Sequence, residues 1–184
     1  MIKVSNNLIV DIDVKSINQL LEWMTDNIEY GWMDIEGNKH YDFDGWYDKY
    51  IMLLPAEVKK YGIGTCYEQT IFAYQAFEEL FPQFQKIMVF VQIFKVTTHT
   101  FLIFEDNDKL YHFEHSDTKN RGIHGPFSSV EEIIEKFLET YGETGEYSWS
   151  VMNPNNFKDN LTAPEFYELV GYDWERMEEN PDTH

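Results

Sequence analysis

Only one cysteine stands in the 184 residues, so no disulfide can form within the chain. A lone thiol fits a reducing compartment, and the expected location is the cytoplasm. No apolar run approaches the roughly 18 residues that a membrane-spanning helix needs, so no membrane association is expected. The first residues, Met1-Ile2-Lys3-Val4-Ser5-Asn6-Asn7, hold no apolar stretch ending at a small-residue cleavage site, so no signal peptide is expected. Positive charge is scarce as well. Fourteen Lys and Arg face 33 Asp and Glu, for a net charge of −19. A field of that sign repels phosphate backbones and argues against nucleic acid as a partner, while favouring cationic substrates or basic partners. Its plainest role is solubility. Gly-x-Gly-x-x-Gly, Walker and EF-hand spacings are all absent, and no cofactor is expected.

What is present is the material of one globular domain spanning 1–184: 43% hydrophobic residues and 17% aromatics, enough for a core rich in Phe and Tyr. Ile17, Leu20, Leu21, Met24 and Ile28 recur at helical spacing behind Ser16 and Gln19, which predicts a helix near 16–29. Residues 30–50, rich in Gly, Asp and Tyr, read as loop with a short helical turn. A helix runs from Cys66 to Pro82 with Ala73, Ala76, Phe77 and Leu80 on its apolar face. Ile87 to Phe94 reads as a strand covered on both faces, Thr97 to Phe104 as a second, and Leu110 to Glu114 as a third after an Asp-Asn-Asp turn. A loop with Gly122, Gly125 and Pro126 leads to a helix through Tyr141, a strand at 147–152 and a helix ending near Val170. The acidic end, 173–184, is expected to fray. Helices followed by antiparallel strands describe an α+β fold, a central antiparallel sheet packed against the cysteine-bearing helix.

Cys66 opens its helix directly after Gly62-Ile63-Gly64-Thr65. A thiol there faces unpaired backbone N–H groups and the positive end of the helix dipole, which favour a thiolate. The two glycines permit a close backbone approach, and the Cys66 N–H is free to act as an oxyanion donor. A lone cysteine on an apolar helix face is also what a small buried hydrophobe looks like, so the argument needs a base. His99 lies in the second strand. Glu114 follows 15 residues later across the hairpin, where residues summing to about 213 or 214 pair, opposite Thr100 or nearly opposite His99. That suits a carboxylate fixing a histidine tautomer. Asp117, three residues on, is the rival acid. His112 and His115 flank Glu114 but point to opposite faces of a strand, so no metal site is expected. Trp32 and Trp46 are candidates for the wall of a substrate cleft.

Gly64-Thr65-Cys66-Tyr67-Glu68, then His99-Thr100-Phe101, then Leu110-Tyr111-His112-Phe113-Glu114 resemble the core of the transglutaminase-like superfamily, related in fold to papain-type cysteine proteases. Residues 60–117 carry the resemblance. It implies Cys66 as nucleophile, His99 as base and Glu114 as the orienting acid, in a position where the family usually has Asp. Phe101 stands where Trp is common. Arylamine N-acetyltransferases share the Gly-x-Cys-x-Glu start, but their Arg-Gly-Gly lead-in is missing here. No loop supports the calcium dependence of some animal members. The implied function is acyl transfer on an amide or ester of a peptide or protein substrate, as a transglutaminase-like enzyme, peptidase or deamidase. The alternative is a binding module of the same fold with an idle triad and an acidic interaction surface.

Overall fold

A computed structural model describes residues 10–142 and 145–177 of the chain. In chain order the elements are α1 (Ile17–Asn27), β1 (Glu29–Tyr30), β2 (Trp32–Asp34), β3 (Lys39–His40), α2 (Trp46–Lys49), β4 (Tyr50–Ile51), α3 (Pro55–Tyr61), β5 (Ile63–Gly64) and α4 (Cys66–Leu80). The second half holds β6 (Gln85–Ile93), β7 (Thr97–Asp106), β8 (Lys109–Glu114), β9 (Gly122–Phe127), α5 (Val130–Glu139), β10 (Tyr147–Met152), α6 (Ala163–Val170) and α7 (Trp174–Met177). The protein is mixed α+β, built on a five-stranded antiparallel sheet in the order β10-β6-β7-β8-β9.

Alternation along the central strands sorts side chains onto two faces. Met88, Phe90, Leu102, Phe104 and Phe113 join one core with Phe72, Ala73, Ala76 and Phe77 of α4. Val89, Val91, Phe101 and Ile103 join a second core with Ile133, Ile134, Phe137 and Leu138 of α5. The sheet is thus covered on both sides at its centre, which is why β6 reads as an unbroken apolar run. Phe77 anchors the first core, with ring centroids of Phe104 at 5.2 Å and Phe113 at 5.7 Å.

Four expectations change. The segment 122–127, read as loop, is strand β9, paired with β8 from Leu110↔Phe127 to Glu114↔Gly122; β8 supplies the partner that glycines and a proline concealed. Residues 30–50 contain the expected helical turn, α2, but also a small sheet in which β2 lies between β3 and β4. The hairpin register sums to 215, as in Leu102↔Phe113, so Glu114 comes level with Phe101 rather than with Thr100 or His99. At the C-terminal end, read as fraying over 173–184, Trp174–Met177 form a short helix with Met177 buried; residues 178–184 lie outside the described residues.

The apolar stripe expected on α4 is wider than the pattern implied, because Cys66 through Ala73 are all buried. Three polar side chains go inside with them, each with partners. Glu68 accepts the Leu53 N–H (2.7 Å), the Thr65 N–H (2.7 Å) and the Thr65 hydroxyl (3.1 Å). Gln69 donates to the carbonyls of Gly64 and Glu29, and the Thr70 hydroxyl donates to that of Thr100. Buried polar groups persist only with such partners.

Burial outweighs the three donors at Glu68 and raises its carboxyl to about 7 from the ordinary 4.5. The folded chain therefore holds a proton that the unfolded chain releases between those values, so this group's contribution to stability falls as pH rises through that window. His115, held down to about 4 by burial and by Arg121, acts in the opposite direction over overlapping pH. A comparison of wild type with Glu68→Gln cancels that effect. Urea unfolding at about pH 4.5 and about pH 8 is expected to give a wild-type stability, relative to the variant, that is lower by about 3 kcal/mol at the higher pH. A difference independent of pH would mean that Glu68 titrates normally in the folded chain.

Candidate active site

The helix start that carries Cys66 is fixed from both sides. Gly62 ends α3 in the left-handed conformation, φ +66°, and a Cβ there would meet the Asn27 carbonyl at 2.8 Å. At Gly64 a Cβ would lie 3.1 Å from the Cβ of Glu68. The glycines thus serve close packing of the chain on itself, where the sequence pointed to a ligand. Between them β5 pairs in parallel with β1, setting Tyr30 beside Gly64, two residues before the cysteine. Glu68 then ties the residue before Cys66 back onto the helix.

Cys66, His99 and Glu114 converge. The His99 Nε2 lies 2.7 Å from Glu114 Oε2, and Cys66 is near enough to the same imidazole to help raise its pKa. With Nε2 occupied by the carboxylate, Nδ1 is the nitrogen left for the sulfur. Burial alone would lower the His99 pKa; the Glu114 carboxylate and the thiol more than offset it and hold the imidazole well above its usual value. For Glu114, burial pushes the other way, and His99 and His112 hold the carboxyl below its usual range. The second oxygen of Glu114 accepts the Ser116 hydroxyl at 3.2 Å and the Asp117 N–H at 3.0 Å, so both carboxylate oxygens are oriented.

Asp117, the rival acid, faces elsewhere. Its carboxylate binds the Asn120 amide at 2.6 Å and the Lys119 N–H at 3.0 Å, and it touches the triad only through its backbone. The register explains the choice. Counting from the observed pairs, Glu114 and His99 share a sheet face but sit diagonally, and the longer Glu side chain spans that offset. Phe137 of α5 stacks on the His99 ring at 5.2 Å and 10°, fixing its plane.

Around this centre lie residues that the sequence alone did not single out. Tyr30 lines the cleft together with Cys66 while remaining 38% exposed, and desolvation of its hydroxyl in the cleft together with Cys66 and Glu68 raises its pKa. His115 Nδ1 donates to Gln69 Oε1 at 2.5 Å, locking the amide whose other end holds Gly64 and Glu29. No local pattern marks Tyr30 or Gln69, because each acts through a neighbour distant in sequence. Cys66 opens onto a cleft of about 980 Å³ whose walls include Tyr30, Thr65, Trp46, Tyr167 and Trp174. Trp46 therefore lines the cleft as expected. Trp32 does not: it is fully buried, stacks on His40 and donates its indole N–H to the Asp42 carbonyl. Among the described residues no helix is long and apolar enough to cross a membrane.

No protein-family model matches the chain, and no curated protein matches it. What the fold brings together is a thiol at a helix start, a buried imidazole–carboxylate pair near it, and a tyrosine that shares the thiol's aromatic cleft.

Replacing Glu114 by Gln removes the charge that holds the His99 proton, so the His99 ring is expected to titrate at lower pH in that variant when followed by NMR. Asp117→Asn should leave its titration within a few tenths of a pH unit of wild type. The opposite pattern would transfer the orienting role to Asp117.

Proposed function

We propose that the protein is a cysteine-nucleophile acyl-transfer enzyme of transglutaminase-like type, acting on an amide or ester of a peptide or protein substrate. The observation that carries this reading is the buried His99–Glu114 pair, 2.7 Å apart, with Cys66 at the start of α4 near enough to help raise the imidazole's pKa. In the first half-reaction His99 takes the thiol proton and the sulfur attacks the acyl carbonyl carbon. The tetrahedral intermediate collapses, the bond to nitrogen or oxygen breaks, and the leaving group departs with the proton from His99. The thioester is then attacked by water or an amine, whose proton passes to His99 as the sulfur leaves. Glu114 keeps the imidazole in the required tautomer and stabilises its charged form.

The developing oxyanion needs two donors. The Cys66 N–H at the helix start is one, and the hydroxyl of Tyr30, which lines the same cleft and has a raised pKa, is assigned as the second. Nothing in the geometry separates water from an amine as acceptor, so peptidase, deamidase and transglutaminase outcomes share this scheme. The idle-module alternative draws on the glutamate in the acid position and the −19 surface, whereas the buried His99–Glu114 pair beside Cys66 supports the enzymatic reading.

Screening a glutamine- and ester-bearing peptide library for ammonia or alcohol release, with and without a primary amine, tests the activity. Cys66→Ala is expected to abolish turnover with little change in Tm, since the small side chain at a helix start adds little packing. Full turnover in that variant would overturn the nucleophile. Tyr30→Phe is expected to lower kcat by about 10² to 10³ with KM nearly unchanged, as for loss of one oxyanion donor. An unchanged kcat would leave the second donor elsewhere.

A further inference from the structure

The cleft above Cys66 is unusual in what its walls combine. Eight of the lining side chains are aromatic, and Asp44 and Asp48 are the only Asp, Glu, Lys or Arg among the described lining residues. Phe43 and Tyr47 are 42% and 46% exposed, so their rings are offered to a ligand and not consumed by packing. Tyr47 and Trp174 meet edge to face, centroids 5.7 Å apart at 87°, and Trp174 meets Tyr167 at 5.0 Å and 80°. Near-perpendicular rings present π faces in different directions around one space, which is how a cation is surrounded.

Among the described residues no Lys or Arg lines this wall. Arg176, adjacent to this wall in sequence, pairs with Glu146 and lies over the Phe94 ring at 3.7 Å. Lys49 of α2 runs its side chain past Gly45 but does not line the cleft and forms no ion pair with Asp44 or Asp48 among the described residues. Two carboxylates and several open π faces thus stand together on the wall beside Cys66.

We propose that this wall is a specificity subsite for a basic side chain of the acyl-donor peptide, held by the Asp44 and Asp48 carboxylates and by the faces of Tyr47 and Trp174. The inference rests on the acyl-transfer reading for its placement next to the reacting carbonyl, but the binding surface exists apart from the chemistry. A guanidinium suits it best, because a planar, weakly hydrated cation stacks on rings while its N–H groups reach carboxylates. A neutral isostere keeps the shape and loses both interactions.

The test uses the full chain and two readouts. In the first, peptides carrying a chloroacetamide electrophile and, two residues away, Arg, citrulline or Glu are compared by the second-order rate of Cys66 labelling, followed by intact mass. In the second, the Arg and citrulline peptides without electrophile are titrated against Cys66→Ala by NMR. The expected result is labelling about tenfold faster for Arg than for citrulline, with Glu slowest and the same order in binding. In Asp44→Asn/Asp48→Asn combined with Tyr47→Leu, all at exposed positions, Arg and citrulline should come within twofold, the citrulline rate staying near wild type. Part of the preference should persist at about 0.5 M salt, where long-range steering by the −19 surface is screened. Equal Arg and citrulline values overturn the subsite, as does a preference that vanishes with salt and ignores the substitutions. If Cys66 labels no faster than free cysteine while Arg still binds preferentially to Cys66→Ala, the enzymatic reading fails and the subsite stands. Fast labelling without an Arg preference leaves the enzyme and removes the subsite.

Discussion

The buried carboxylate of Glu68 is the constraint on which the geometry of the site depends. It gathers the Thr65 N–H, the Thr65 hydroxyl and the Leu53 N–H around one side chain that has no exposure to solvent. Taking a carboxyl out of water costs several kcal/mol if it is ionised, and that cost is lowered when it keeps its proton or finds donors. Glu68 does both. In return the loop at Leu53 and the residue before Cys66 are locked to the third residue of α4. Since Thr65 precedes the cysteine, its fixed position sets where the thiol points. A side chain placed two residues from a nucleophile looks in sequence like a charged surface position; inside the fold it is the pin of the helix start.

A second constraint is continuous with the first. Gln69, next along α4, holds Gly64 and Glu29 through its amide nitrogen and receives His115 at its oxygen. Glu29 precedes Tyr30, and His115 follows Glu114. One buried amide therefore links the strand that carries Tyr30 to the strand that carries Glu114, with the helix that carries Cys66 between them. Catalytic groups held to a few tenths of an ångström need such fixed supports, because a misplacement near 1 Å is costly. The polar residues inside α4 are thus explained by position and not by solubility.

This is also where the sequence was legible and where it was not. Helices at 16–29 and after Ser129, and the β6–β7–β8 meander, follow from spacing and caps, which act locally. The order Cys66, His99, Glu114 was readable because each residue sits at a recognisable local feature: a helix start and two strand segments. The pairing register was misjudged by one to two residues, since turn composition alone does not fix which residues oppose each other. Strand β9 escaped because Gly122, Gly125 and Pro126 speak for a loop, and only pairing with β8 makes them extended. Tyr30, Gln69 and Phe137 were invisible for a common reason. Each gains its role from a partner more than 30 residues away, and composition carries no trace of that contact.

The register also bears on why a glutamate occupies the acid position. Side chains directly opposite on neighbouring strands are close enough for a short carboxylate, whereas diagonal neighbours lie roughly 7–8 Å apart. With pairs summing to 215, His99 would lie opposite a residue beyond the end of β8, and Glu114 reaches it along the diagonal. An aspartate at 114 would fall short by about the length of one methylene unless the strand end moved. The strand cannot move freely, because Ser116 and the Asp117 N–H bind the other oxygen and His115 is fastened to Gln69. Side-chain length and strand register are therefore one property of this site: the extra methylene is what lets a carboxylate meet an imidazole that the sheet has placed one step too far away.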